Sequence, residues 1–424
     1  MALGVPGLRR AVIASIPLLL AGLLAACGSY KAPGGGGSRG GPPSGLTFRA
    51  FISNSTGFSS ISPGLQIMDA RLDKQFLGSF INGGPQPTFL VLSPDKKLTL
   101  TFSPANNSVG LVNNLSESFG GSITLPNFTE SLVIANDNST AYAALPTQPV
   151  LGQPAGEIEA LDLVRGGIKS KVAVAGVHRL AQSPNGNRIL AFSDNSDTVT
   201  LIAPSLVGTT TDPRTPLTGF DRPIGAVFSP DSTTAYVLNC GRECAGIQAS
   251  ITKVDLNAFV VGPTLPVSAA TVAVLSGNTL YVAGTPLGQL CAAGTTAAPT
   301  CGVLDVVDVP SFTVTTSGVL ISDGFHDRMA VASNNRVFIG ARICTNINTA
   351  SEQRGCLSIF NPSDSTVTVA PDNGDVTGVQ PITGRNAVYV IQGAELRIYD
   401  MTTGKLQSKQ VDLVGQIVDV KLVD

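Results

Sequence analysis

Short apolar runs and short polar clusters alternate along most of this chain, and the alternation repeats. Three segments read alike: Leu90-Val91-Leu92-Ser93-Pro94-Asp95, Leu180-Ala181-Gln182-Ser183-Pro184-Asn185 and Ala226-Val227-Phe228-Ser229-Pro230-Asp231. Each is followed by a polar residue or two and a second apolar run. Proline at the second turn position presets φ, and an Asp or Asn side chain bonds back to its own backbone. Each copy therefore predicts a strand, a tight turn and a strand. Degenerate copies stand at Ile134-Ala135-Asn136-Asp137, Leu275-Ser276-Gly277-Asn278, Ala332-Ser333-Asn334-Asn335 and Ile382-Thr383-Gly384-Arg385.

The second strands fall at Leu98–Ser103, Ala141–Leu145, Arg188–Ser193, Ala235–Asn239, Thr279–Gly284, Arg336–Ala341 and Ala387–Gln392. Third strands follow at Ile158–Leu163, Ile251–Asn257, Val303–Val309, Leu357–Phe360 and Leu396–Tyr399, and a more polar fourth strand leads into the next copy. Four antiparallel strands recurring at about 42–57 residues predict an all-β fold, a β-propeller. The chain ends complete the count. Phe48–Ser53, Leu65–Arg71 and Phe76–Phe80 form a blade without its first strand, and Gln416–Val423 is a first strand without successors. Joining them closes a ring of eight blades, with seven as the alternative count. The closed ring reads as a monomeric domain over residues 46–424.

Composition fits a packed domain. Hydrophobic residues make up 43% and charged residues 13%, which argues for a large core over disorder. The formal charge is −2, and losing Arg9 and Arg10 with a leader would take it to −4. Such a surface offers no basic footprint for nucleic acid. Of seven cysteines, six form close pairs: Cys240/Cys244, Cys291/Cys301 and Cys344/Cys356. We read them as three local disulfides. With only His178 and His326 to add nitrogen ligands, the sequence points to no metal site and no cofactor.

The N-terminus explains where disulfides could persist. Arg9 and Arg10 precede an uncharged run from Ala11 to Ala26 that is interrupted by Pro17 and too short for a spanning helix, which needs about 20 residues. The charged segment, apolar run and small-residue site are the parts of a secretory signal. Leu24-Ala25-Ala26-Cys27 resembles the lipobox of bacterial lipoproteins. That resemblance implies cleavage after residue 26, lipid attachment at Cys27 and anchoring to a membrane of the cell envelope, periplasmic or surface-facing. Residues 27–45, rich in Gly, Ser and Pro, then read as the lipidated cysteine and a flexible tether.

Tyr236-Val237-Leu238-Asn239, following Ser229-Pro230-Asp231, resembles the signature of YVTN-type bacterial β-propellers, a group that merges with lactonase-like propellers. Tyr281-Val282 and Tyr389-Val390 are partial matches. The resemblance implies the fold. It carries over no lactonase catalytic residue, and the chain also has no Gly-x-Ser-x-Gly, Walker A or His-Glu-x-x-His motif.

The turn pattern also predicts where chemistry would sit. The Ser-Pro-Asp turns occupy one face. On the other, the loops between second and third strands are long in four blades: Pro146–Glu157, Cys240–Ser250, Thr285–Gly302 and Cys344–Gly355. Every cysteine pair lies in or at the edge of one of them, and insertions on one face of a repeat array often bind. The crossings between blades share that face and carry His178-Arg179, Arg222 and His326-Asp327-Arg328. Counted back from the turn serine, His178 and Arg328 are equivalent, as are Arg222 and His326. These six residues are the expected ligand-binding ring, with guanidinium groups suited to a carboxylate or phosphate. The expected function is binding of a small anionic ligand or an envelope protein. The alternative is a lactonase-like hydrolase, with histidine as general base if a carboxylate orients it.

Overall fold

The computed structural model describes residues 42–56, 63–78, 80–291, 300–349, 353–370 and 374–424. Cys27 and the tether up to residue 41 lie outside the described residues. The chain is a ring of eight antiparallel blades, as the repeat predicts. Blade 1 pairs Lys74–Gln75, Gly64–Asp69, Arg49–Asn54 and the C-terminal Ile417–Leu422, in that order. The last strand is thus the innermost strand of the first blade, with Phe51 opposite Lys421 and Ala50 opposite Leu422. Blades 2 to 7 each run four strands outward in chain order from innermost strands beginning at Leu90, Ser131, Val177, Pro223, Val272 and Phe325. Blade 8 has Val376–Pro381, Ala387–Gln392 and Glu395–Asp400, and its outer segment pairs only through a bridge from Tyr399 to Leu406.

Why the alternation gives this shape is visible in the core. A strand sends successive side chains to opposite faces, and both faces of a blade are covered by its neighbours. The apolar core accordingly divides into eight clusters, each drawn from two adjacent blades. Leu100 and Phe102 of blade 2 meet Ala143 and Leu161 of blade 3, and Ile52 and Met68 of blade 1 meet Tyr389 and Ile398 of blade 8 across the closure.

The turn face is built as the sequence suggests. Ser93, Ser183 and Ser229 each donate from Oγ to the Asp or Asn two residues on, at 2.5–2.8 Å. The same oxygens accept the backbone N–H groups of Leu98, Arg188 and Thr234. The fourth turn residue has positive φ, whether Lys96, Gly186 or Ser232. Neighbouring turns are stitched together: Asn136 Nδ2 donates to Pro184 O, and Asn185 N to Ser232 Oγ. The N-terminal segment enters at this face. Ser44 donates twice to Glu117, while Arg49 bridges Glu117 and the C-terminal Asp424.

The opposite face carries three disulfides, Cys240–Cys244, Cys291–Cys301 and Cys344–Cys356, with Cα separations of 5.6, 5.0 and 5.4 Å. Their loops are tied to one another. Glu243 accepts the Thr285 N–H from the next loop. Asp323 accepts hydrogen bonds from Thr300 and Thr345. Arg354, in a small hairpin of the blade 7 loop, reaches the Cys291–Cys301 sulfurs. Blades 5 to 7 therefore present a joined crown rather than three separate loops.

Candidate functional site

The innermost strands share a device that the linear pattern hides. In blades 4, 5, 7 and 8, pairing to the second strand slips by one residue near its start. Val177 pairs with Ser193 but Arg179 with Phe192, leaving His178 as the extra residue. By the same slip Ile224, Asp327 and Thr377 are the extra residues of the other three. In blade 1, Val418 and Asp419 together oppose Ser53. A bulge of this kind re-aims a side chain. All of these extra residues line one cavity of about 1120 Å³ at the channel mouth on the crowned face. This volume slightly exceeds the range usual for small-molecule sites, about 300–1,000 Å³.

The bulges fix the true equivalences, and they correct the sequence count. Ala332, not Ser333, holds the position of Ser183, because Asn335 N bonds to Ala332 O as Gly186 N does to Ser183 O. Counting from Ser333 shifts blade 7 by one. His178 is equivalent to Asp327, and Arg179 to Arg328; His178 and Arg328 are not a pair, nor are Arg222 and His326. Arg222 lies one residue before the position that His326 occupies.

Five of the six expected residues, His178, Arg179, Arg222, Asp327 and Arg328, line the cavity. His326 does not. It stands just before the bulge, where Val177, Pro223 and Val376 of the other blades are buried, and it too is 0% exposed. Gly302 makes its room, since a Cβ there would come within 2.6 Å of the ring. Its Nδ1 lies 3.5 Å from Thr285 Oγ1. Burial pushes its pKa down to about 4, partly opposed by Ser322 and Asp323, so the ring is neutral at ordinary pH.

The charges around the mouth are unevenly matched. Asp327, with its side chain 8% exposed, accepts both Arg328 Nη1 at 3.1 Å and Arg342 Nη2 at 2.9 Å. Arg328 also donates from Nε to Thr377 O at 2.7 Å. His178 Nδ1 lies 2.6 Å from Asp194 Oδ1, and Arg222 is 3.6 Å from Asp197. Arg179 has no carboxylate in ion-pair range among the described residues. Its one hydrogen bond is a long one, 3.5 Å, to Ile224 O. Arg179 crosses over Gly225 of the next blade, with Nη1 at 3.8 Å from where a Cβ would stand. Burial lowers its pKa, with Asp327 opposing and Arg328 and Arg342 adding repulsion, yet a guanidinium remains charged. Glu243 also lines the cavity, and burial raises its pKa to about 7 despite the Thr285 N–H bond. At neutral pH it offers only part of a negative charge.

Three lining features have no counterpart in the sequence reading: Arg342, Glu243 and a pair of aromatic rings, Phe89 and Phe128. Arg342 ends a second strand, Glu243 sits inside a disulfide loop, and the two rings precede innermost strands. Only the last position, beside a blade crossing, carried a usable signal. Among the described residues no cluster of His, Cys, Asp and Glu could hold a metal.

Fold and site together define a β-propeller with a ligand-sized cavity at one channel mouth. Solved structures agree on the fold. The chain is similar to dihydro-heme d1 dehydrogenase NirN in complex with DHE, at a TM-score of 0.62 and 12% identity, covering 89% of this chain and 75% of that one. It is similar to hydrazine synthase of Kuenenia stuttgartiensis, at 0.55 and 13% identity, covering 79% and 98%. A functionally unknown protein from Desulfotomaculum acetoxidans gives 0.51 and 12%, covering 89% and 99%. At such identities the likeness establishes the propeller and nothing finer. No protein-family model matches the chain, and no curated protein matches it.

Proposed function

We propose that this protein is an exported, lipid-anchored binding propeller of YVTN type that holds a small anionic ligand in its crowned channel mouth. One observation carries the reading: Arg179 faces a large cavity with no carboxylate in ion-pair range among the described residues, beside two arginines that share the carboxylate of Asp327. Desolvating an unmatched guanidinium is costly, and a carboxylate or phosphate would relieve it through charge-assisted hydrogen bonds. The tied crown supports the same reading, since a preformed rim lowers the ordering cost of binding. The crown also exposes Ile247, Leu287, Leu290 and Ile343, apolar surface that an envelope protein could use.

Anchoring at Cys27 fits the geometry. The chain enters the domain at the turn face through Ser44 and Arg49, on the side opposite the cavity mouth. Calorimetric titration of the mature chain with citrate and with inorganic phosphate tests the site. Saturable binding that is lost in the Arg179→Ala/Arg222→Ala/Arg328→Ala variant is expected; the same affinity in that variant would overturn it. Labelled palmitate incorporated in cells, and lost in Cys27→Ser, tests the anchor.

A second reading has its own observation. His178 is oriented by Asp194 and lines the cavity, so its Nε2 could serve as a general base in a lactonase-like hydrolase. Turnover of lactones that disappears in His178→Gln would favour it over simple binding.

A further inference from the structure

The cavity has two unlike walls. Blades 4, 5 and 7 supply Arg179, Arg222, Arg328 and Arg342. Blades 2 and 3, which precede blade 4 in the ring, supply a single charged lining residue, Glu130, whose charge favours the Arg179 cation. The rest of that wall is dominated by rings and aliphatic chains, and the rings are built in. Phe102, fully buried on the second strand of blade 2, stacks on Phe89 at 5.7 Å between centroids. It meets Phe128 edge-on at 5.3 Å. Phe89 and Phe128 thus form the two outer members of a three-ring ridge, both facing the cavity, with Phe128 39% exposed.

This arrangement leaves apolar aromatic surface facing water in a concave site. The outer rings cover Phe102 with one side and keep the other toward the cavity. Exposed apolar surface bordered by polar groups marks recognition, and aromatic rings contribute large apolar area with defined packing geometry. Beside them, on the next blade, stands the Arg179 cation.

Building on the anion site proposed above, we infer that the ligand is an amphipathic anion: a carboxylate or phosphate on an aromatic or alkyl body. The acid lies against Arg179 and Arg328, and the body lies across Phe89 and Phe128. Neither wall alone defines this class. A purely polar anion leaves the rings wet, and a neutral apolar molecule leaves Arg179 unmatched.

The test uses three probes on the mature chain, followed by pyrene fluorescence and calorimetry: pyrenebutyrate, its neutral analogue pyrenebutanol, and butyrate. Pyrenebutyrate should bind at least about tenfold more tightly than either of the others, a difference that one charge-assisted hydrogen bond or one buried ring supplies. Arg179→Gln should remove the advantage over pyrenebutanol. Phe128→Ala should remove the advantage over butyrate, with Phe128→Leu intermediate and thermal melting confirming that each variant folds. Equal affinity for pyrenebutyrate and butyrate would overturn the apolar wall while leaving the anion site standing. Equal affinity for pyrenebutyrate and pyrenebutanol would overturn the anion site itself. No binding of pyrenebutyrate, with citrate or phosphate still bound, would overturn the amphipathic class alone.

Discussion

Blades 4 and 7 enter the channel through the same three backbone positions, and their side chains make opposite use of them. Blade 4 presents Val177, His178 and Arg179; blade 7 presents His326, Asp327 and Arg328. The first position is buried in both. The second is the bulged residue that turns into the cavity. The third is an arginine reaching a carbonyl of the next blade, Ile224 O from Arg179 and Thr377 O from Arg328. In blade 7 the bulge supplies the arginine's own counter-charge. In blade 4 it supplies a histidine, which is engaged by Asp194, and the arginine is left unmatched. One backbone device thus builds a structural ion pair in one blade and a vacant cation in the other. What separates them is a single residue at the bulge.

Exchanging the buried positions should have the largest effect. Val177 packs among Ile158, Val174 and Leu180, all apolar. Val177→His should cost about 3 kcal/mol in urea unfolding, through overpacking and an imidazole without a partner. The reverse exchange, His326→Val, should cost less, about 1 kcal/mol at pH 7, because it leaves a small cavity beside Gly302 and gives up the bond to the Ser322 backbone but buries no new polar group. Equal costs for the two exchanges would mean that the two positions are not alike in their surroundings.

Next in size is the pH dependence of blade 7. His326 has a folded pKa near 4, below the usual 6.5. The unfolded chain therefore binds the extra proton first, and stability falls as pH drops from about 6.5 towards 4. The contribution is fully present above 6.5. Its loss amounts to about 2–3 kcal/mol at the acid end of that window. Carboxylates as a class titrate towards the acid end of that window too, so the measurement is the difference between wild type and His326→Gln at each pH. That difference should shift in favour of the variant on acidification. A parallel pair of curves would show that His326 is not held neutral.

These two positions also show what could be read in advance. Strand order, ring closure through Gln416–Val423 and the stapled loops follow from alternation and turn chemistry, which are local. Register at the channel is not local. A bulge adds a residue without any marker in composition, and Ala332 stands where other turns have serine. Counting from the nearest serine therefore placed His326 in the cavity and paired His178 with Arg328. The ridge of Phe89, Phe102 and Phe128 escapes a sequence reading for a related reason: it joins one second strand and two blade crossings, and nothing in their spacing says that they meet.

Asp327→His would give blade 7 the bulge residue of blade 4. It strips the shared carboxylate from Arg328 and Arg342, and should cost about 1–2 kcal/mol, since both guanidiniums are partly exposed and water recovers some of the loss. The same variant should bind phosphate or pyrenebutyrate more tightly than wild type, because Arg328 and Arg342 then join Arg179 as unmatched arginines facing the cavity. Lower affinity would show that Asp327 positions Arg328 for the ligand rather than competing with it.

The smallest effect sharpens the comparison most. Arg179→Gln should change stability by no more than about 0.5 kcal/mol, because the side chain gives up one long hydrogen bond and sheds an unmatched charge. Arg328→Gln, which breaks an ion pair and a 2.7 Å bond to Thr377 O, should cost more. If Arg179→Gln melts like wild type yet loses the anion, while Arg328→Gln melts lower, the blade 4 arginine is held in place for binding rather than for the fold. If Arg179→Gln is the more damaging to stability, the guanidinium has a structural partner in solution, and the reading of the channel mouth as an anion site falls with it.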